Sequence, residues 1–501
     1  MNAYRVMPKT DELPRALYRA AQVREFDRIA IEEYGIPGEQ LMDRAGGAAF
    51  ALLYERWPEL RDVTVLVGTG NNGGDGFVVA RLALQAGLTV RVLQLGDRQR
   101  IAGDAALNAR RYADLGGDWR PFAGLPQRTD LIVDGVFGTG LERDVTGAWA
   151  EAVQAVNAHP APVLALDIPS GLHSDTGRAL GVAVRAAATI SFIGLKQGLF
   201  TGDGPAHCGA VSFDALEVPA RIYGRQILSA RRLDAATLAQ HLRPRRRTAH
   251  KGDFGHALVV GGDLGFGGAA RLAAEAAGRV GAGLVSLATR PAHVSAVLAA
   301  RPEVMVRGVD AAAELDPLLE RATVLAIGPG LGRGDWGRAM WERVCVVPRP
   351  LVVDADALNL LAERPRRRDD WVLTPHPGEA ARLLGTSSAA VQADRFAALD
   401  ELLGRYGGAV VLKGAGTLSG APGPRPPGVC SAGNPGMASG GMGDVLTGVI
   451  AGLLAQGHAP EQAAELGVCL HAAAADAAAA DGERGLLAGD LLPQLRRFAN
   501  P

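Results

Sequence analysis

Lysine is nearly missing from this sequence. Of its 52 lysine and arginine residues, only Lys9, Lys196, Lys251 and Lys413 are lysine. Arginine fills almost every generic basic position. A retained lysine therefore points to ammonium chemistry, a compact charge with a movable pKa that guanidinium does not supply. Lys9 falls in the N-terminal tail, and the other three lie in the motifs below. Cysteine is also scarce. Cys208, Cys345, Cys430 and Cys469 are widely scattered, which excludes a dense disulfide framework and metal-ligand spacing, and fits a reducing cytoplasm. Net charge is only −1, so no bulk field favours nucleic acid or an anionic membrane. No uncharged apolar run reaches about 18 residues. The longest candidate, Val468 to Ala480, holds His471 and Asp476, so no membrane span is expected. The N-terminus has no apolar core of a secretory signal.

Glycine is what the chain has in excess: 66 residues of 501, about twice the usual share. Most sit in clusters directly after apolar strands, where backbone can approach a ligand closely. The length allows two to four domains at about 150 residues each, and two α/β units are expected. Strands of the first are predicted at Val63–Gly68, Thr89–Leu95, Leu131–Val136, Val163–Ile168 and Thr189–Ile193, with helical periodicity from Phe77 to Ala86. A break follows from Pro219 to Ala249. Its run Arg243–Arg247 lacks interleaved aromatics and reads as solvated surface, in the linker or the entry to the second domain. The second unit begins at HKGDFGHALVVGG. Its further strands are predicted at Leu284–Ala288, Val324–Ile327, Leu351–Asp354, Trp371–Thr374 and Val410–Leu412. Helices are predicted at Gly268–Val280, Asp444–Ala455 and an Ala-rich stretch ending near Ala480. Strands alternating with helices imply parallel sheets in layered αβα domains. The domains are placed at 1–225 and 226–501.

In VTVLVGTGNNGGDGFVVAR, Gly68, Gly70 and Gly73 match G-x-G-x-x-G between a strand and a helix. The pattern also fits a close-packed turn or a dehydrogenase cradle. Asp75 argues against the cradle, because a carboxylate at a helix start satisfies the open N–H groups itself and repels a pyrophosphate. Asp134, Asp167 with Ser170, and Lys196 follow at strand C-terminal ends, where ligands bind in open parallel sheets. A lone strand-end Asp is often a cap or turn residue, but several converge on this edge. Asn72, Asp134 and Ser170 offer hard oxygen donors suited to an alkali or magnesium-type cation. Asp167 and Lys196 form an acid–base pair.

NNGGDG, DGVFGTGLERD, DIPSG and GLKQG together resemble the YjeF N-terminal family of NAD(P)H-hydrate epimerases, over about residues 20–220. The resemblance implies a Rossmann-like fold and a potassium ion on Asn72, Asp134 and Ser170. It implies that Asn71, Asn72, Gly73, Gly74 and Asp75 contact the hydrate. The second loop, Gly138, Thr139, Gly140, Leu141, Glu142, Arg143 and Asp144, is implied to do so too, together with Asp167. Asp167 and Lys196 stand where family members handle protons.

AGNPGMASGGMGDVLTG places Gly440, Gly441 and Gly443 ahead of a helix expected to start near Asp444. Bare N–H groups at a helix N-terminus bind phosphate oxygens. Asp444 could be a simple N-cap, or it could accept a proton from a hydroxyl attacking a terminal phosphate. VVLKGAGT places Lys413 and a glycine turn after a strand, where an amine near phosphates is expected. His376 in TPHPGE is fixed between two prolines. IGPGLG is another strand-end turn.

HKGDFG, VVGG, GPGLG, DADALN, TPHPGE, VLKGAGT and GGMGD, in this order, resemble the ribokinase-like NAD(P)H-hydrate dehydratases over about residues 230–500. The resemblance implies that Lys413, Gly414, Ala415, Gly416, Thr417 and Gly443 bind ADP or ATP with Mg2+, ADP being usual in bacterial members. It implies that Gly330, His376 and Asp444 contact the hydrate, with Gly268 or Ala269 joining. The expectation is a cytoplasmic, homo-oligomeric isomerase and lyase. It would repair NADHX and NADPHX, the hydrates of NADH and NADPH, with no nucleic-acid or membrane partner. Three other readings stay open. They are a small-alcohol kinase fused to a nucleotide-binding scaffold, a dehydrogenase using the Gly68–Gly73 turn, and a non-catalytic N-terminal binding scaffold.

Overall fold

The computed structural model describes residues 13–500; Lys9 and the start of the N-terminal tail lie outside them. The chain divides into two compact units, one up to Arg231 and one from Arg232.

The first unit carries a seven-stranded sheet: β1 (Asp62–Val67), β2 (Thr89–Gln94), β3 (Asp118–Pro121), β4 (Leu131–Gly135), β5 (Val163–Leu166), β6 (Ala188–Phe192) and β7 (Ala210–Asp214). Their order is β3-β2-β1-β4-β5-β6-β7, and every pair is parallel. The strands β4, β5 and β6 are buried along their whole length, so they read as unbroken apolar runs. The two edge strands, β3 and β7, are partly exposed and mixed in polarity and were not expected from the sequence. Helices α1 (Ala20–Glu32) and α2 (Gly38–Arg56) were not expected either. The expected helix at Phe77 is the body of α3, which spans Asn71–Gln85, and α4 (Gly103–Asp114) and α5 (Gly147–Ala158) follow it. The glycine turn is thus already helix. Gly73 packs against the Gly68 carbonyl, where a Cβ would stand 2.5 Å from the oxygen, and Gly74 packs against the Met42 sulfur. Strand order reverses between β1 and β4, and ligands bind parallel sheets at such a crevice. The 219–249 stretch is not all linker: Ala230 and Arg231 pair with Leu17 and Ala16.

The second unit carries β8 (His256–Val260), β9 (Leu284–Thr289), β10 (Met305–Gly308), β11 (Val324–Ile327), β12 (Leu351–Val353), β13 (Trp371–Leu373), β14 (Ala409–Leu412), β15 (Thr417–Gly420) and β16 (Gly428–Cys430). They run β10-β9-β8-β11-β12-β13-β14-β15-β16, parallel except for the antiparallel β14–β15–β16 meander. Here order reverses between β8 and β11, which puts the GG turn after β8 beside the GPGLG turn after β11. Gly262 N–H donates to the Pro329 carbonyl at 3.0 Å.

Helix α6 (Gly267–Arg279) packs on α7 (Met442–Ala455), and both are largely buried. The contact is made by small residues. A Cβ on Gly448 would collide with the Ala273 carbonyl oxygen, and one on Gly452 would stand 2.6 Å from that of Ala277. This explains the Ala- and Gly-rich composition of both helices. Among the described residues no helix is long and apolar enough to cross a membrane.

Candidate active sites

A cleft of about 770 Å3 opens at the β1/β4 crevice. Asn71, Asn72 and Asp75 line it from α3, the 138–143 loop lines it from β4, and Asp167 from β5. Asp144 does not reach it. It is exposed, beside the Gly181 turn. Asp167 sits at φ +64°, a left-handed conformation unusual for a non-glycine residue and held only where the surroundings impose it. Those surroundings are clear. Asp167 N–H donates to the Ile190 carbonyl at 2.7 Å, and its Oδ1 accepts from the Lys196 ammonium. Lys196 is fully buried and also donates to Ser191 Oγ and the Phe192 carbonyl, both at 3.1 Å.

The Phe137 peptide joins the three expected cation ligands. Asn72 Nδ2 donates to its carbonyl at 2.9 Å, and its N–H donates to Ser170 Oγ at 2.8 Å. Ser170 Oγ donates to Asp134 Oδ1 at 2.6 Å, and Ser170 N–H to Asp134 Oδ2 at 2.8 Å. Burial pushes the Asp134 carboxyl up. Asn72 Oδ1 is buried with no hydrogen-bond donor. An orphaned amide oxygen in the same network as a buried carboxylate suits a hard cation.

Asp75 lies in the fifth position of α3, one turn in, so it is not the cap expected; Gly70 is. Burial, then the charges of Asp167 and Asp27, hold its carboxyl well above the usual range against the pull of Lys196. Asp27, on α1, was not among the residues expected from the sequence. Its carboxyl is pushed up to about 6 by burial, with Lys196 opposing and Asp167 adding.

In the second unit, Asp444 is the third residue of α7, whose cap is Gly441 at φ +92°. A simple N-cap role is thereby excluded. Burial, then repulsion from Asp354, raise Asp444 to about 7, with Lys413 opposing. Lys413 is not a free amine waiting for phosphate. Its Nζ donates to Asp354 Oδ1 at 2.8 Å and stands 3.8 Å from Glu379 Oε2. Asp354 is 1% exposed, accepts from Thr447 Oγ1 at 2.7 Å, and leaves the helix that follows it uncapped. The next residue, Ala355, is at φ +47°. Asp354 and Glu379 lie in motifs singled out from sequence, but only the fold shows that they grip Lys413. A Cβ on Gly443 would stand 3.2 Å from Lys413 Nζ, so glycine lets the helix start approach the ammonium.

The Lys413 turn is tied down twice. Lys413 N–H donates to the Pro375 carbonyl at 2.9 Å, and Thr417 Oγ1 closes on the Gly414 carbonyl at 2.9 Å. Gly414 and Gly416 take positive φ between these ties. Arg395, 1% exposed, donates to the Leu412 and Lys413 carbonyls. His376 caps the Pro377–Leu384 helix, its Nδ1 accepting from Gly378 N–H at 2.9 Å. The neutral ring therefore carries its proton on Nε2, which stands 3.5 Å from Glu379 Oε1. Burial and then Lys413 push its pKa down. Gly330 lies against Ala269, where a Cβ on the glycine would meet Ala269 Cβ at 3.3 Å, while Gly268 faces open space. Lys251, the remaining rare lysine, is exposed.

Residues 38–198 match the family described as YjeF-related protein N-terminus, and residues 257–497 match the NAD(P)H-hydrate dehydratases. The bifunctional NAD(P)H-hydrate repair enzyme Nnr of Coxiella burnetii is 49% identical over 97% of this chain and 99% of its own length. That of Escherichia coli is 44% identical over 98% and 95%. The chain belongs to the bifunctional NAD(P)H-hydrate repair enzymes. Like other members, it joins an epimerase domain to a dehydratase domain, and the kinase, dehydrogenase and binding-scaffold readings are not favoured. A solved ribokinase-like superfamily protein from Enterococcus faecalis is 28% identical, with a TM-score of 0.51 over 55% of this chain and 99% of that one. It supports the ribokinase-like fold.

Proposed function

We propose that the N-terminal cleft interconverts the C6 epimers of NADHX and NADPHX through Asp167 and Lys196. We also propose that the C-terminal site dehydrates the S epimer through Asp444, with ADP or ATP as phosphoryl donor. One observation carries the second half: a half-buried carboxyl ionising near neutrality, one residue past a glycine that opens a helix start towards an ammonium.

Hydroxide leaves C6 poorly. Asp444 takes the proton of the C6 hydroxyl as its oxygen attacks the terminal phosphorus, and the bond to the nucleotide breaks. Phosphate is a better leaving group. The ring nitrogen's lone pair expels it from C6, and loss of a C5 proton restores the double bond. The N–H groups at the start of α7 offset the transferring charge. The Lys413–Thr417 turn and Gly443 hold the nucleotide. Gly330, His376 and the start of α6 face the hydrate. Bound Mg2+ supplies charge neutralisation on the phosphates.

In the first domain Asp167 and Lys196 move protons while C6 passes through an opened or iminium-like ring. Asn72 Oδ1, Asp134 and Ser170 fit potassium, whose bound charge relieves the buried Asp134 carboxylate. The four cysteines are buried and free, as a cytoplasmic setting allows.

Asp444→Asn in the full chain tests the core of this. Dehydration should fall by at least about 100-fold, while epimerisation is retained. Near-normal dehydration would remove Asp444 from the base role.

A further inference from the structure

The epimerase cleft holds one more proton-bearing group than the chemistry assigned so far uses. Epimerisation through an iminium releases the C6 hydroxyl on one face of the ring and adds water on the other. The C6–O bond breaks as a proton reaches the departing oxygen and the nitrogen lone pair forms C=N. Water then bonds to C6 from the opposite face and gives up a proton. An acid and a base are both required, and the overall proton balance is zero. Asp167 and Lys196, joined to each other, serve one of these transfers.

Helix α1 presents Val23, Asp27 and Ile31 to the cleft, at the four-residue spacing of a single helix face. The helix is anchored to the catalytic lysine's own loop. Tyr18, just before it, donates its N–H to the Leu195 carbonyl at 2.8 Å and accepts from Gln197 N–H at 3.1 Å. Phe26, beside Asp27 in the chain, is fully buried and meets the Tyr18 ring edge-on at 4.9 Å. Asp27 is therefore held at the cleft by the anchoring of its own helix. It lies upstream of the 38–198 family match.

We propose that Asp27 is a second proton station of the epimerase: it accepts the proton released by the entering water, while Lys196, paired with Asp167, supplies the proton to the departing hydroxyl. This rests on the epimerase reading above. The charged groups that act on Asp27 are Lys196, from the loop after β6, and Asp167, after β5; Asp75, on α3, is in turn raised by Asp27. Arg24 of the same helix, Arg100, Asp104, Glu142 and Arg143 line the rest of the cleft. Three carboxyls thus share one buried ammonium. Asp27 is ionised above about 6, which suits the base.

The test is the pH dependence of kcat for epimerisation of purified NADHX epimers by the full chain, for wild type, Asp27→Asn and Asp27→Glu. Dehydration by the same preparations reports whether the protein is intact. Wild-type epimerisation should rise with pH through a midpoint near 6. Asp27→Asn should lose about 100-fold and lose that limb, and Asp27→Glu should restore both in part. An Asp27→Asn profile that keeps the limb, or a uniform loss that Asp27→Glu shares, overturns the proposal. Absence of epimerisation in wild type would instead overturn the epimerase reading itself.

Discussion

Asp444 titrates where its work requires. A base must be ionised to take the C6 hydroxyl proton, and burial with Asp354 nearby puts that ionisation at about 7. Dehydration should therefore climb as pH rises through about 7 and level off above it, read as kcat/KM for the S hydrate. A flat profile across that range would show that a different group limits the step. Lys196 makes the complementary case. Its ammonium is fully buried with three acceptors arranged around a compact charge. Lys196→Arg keeps the charge but brings a planar fork into that space. Epimerisation should drop by about 100-fold or more while dehydration is unchanged, and retained epimerisation would mean that charge alone suffices. The scarcity of lysine pointed to Lys196 and Lys413, both held by aspartates. It pointed equally to Lys251, which is exposed, because composition cannot tell a retained residue from a chance one. Asp27 and Arg395 gave no signal in the sequence. Each lies in an ordinary amphipathic helix, and only packing brings it to a site.

The elements that position these residues were legible in proportion to their burial. The central strands of both sheets are covered on two faces and read as apolar runs, so their positions were evident. The edge strands β3, β7 and β10 and the β15–β16 hairpin are short or mixed in polarity, and they were missed. The glycine loops were read as turns, yet two of them supply the first turns of α3 and α7. There glycine serves close packing as much as ligand approach. The α6–α7 contact gives a direct check. Gly448→Ala must displace the Ala273 backbone and should cost about 1–3 kcal/mol. Gly404, in the Arg395–Tyr406 helix, faces open space, and Gly404→Ala should be neutral or stabilise by up to about 1 kcal/mol. Urea unfolding of the full chain, followed by loss of dehydratase activity, measures both. Equal midpoints for the two variants would refute the packing account.

At the scale of the whole molecule, one architectural rule explains where both sites fall. Each sheet reverses its strand order once, between β1 and β4 and between β8 and β11, and the motifs collect on the loops leaving those strands. The motifs were therefore legible in order and spacing, because strand-end loops carry ligand residues while the interior carries packing. The partners inside each site were not, because Asp354 with Lys413, and Asp27 with Asp75, meet only across the sheet or between helices. The two domains divide the labour: one equalises the epimers and the other restores the reduced nucleotide at the expense of a phosphoanhydride. Purified R and S hydrates of NADH, each incubated with the full chain with and without ADP or ATP, test it most directly. NADH should return from both epimers, with matching release of phosphate, and only when nucleotide is present. A stable phosphorylated product, or recovery of NADH without nucleotide, would contradict it.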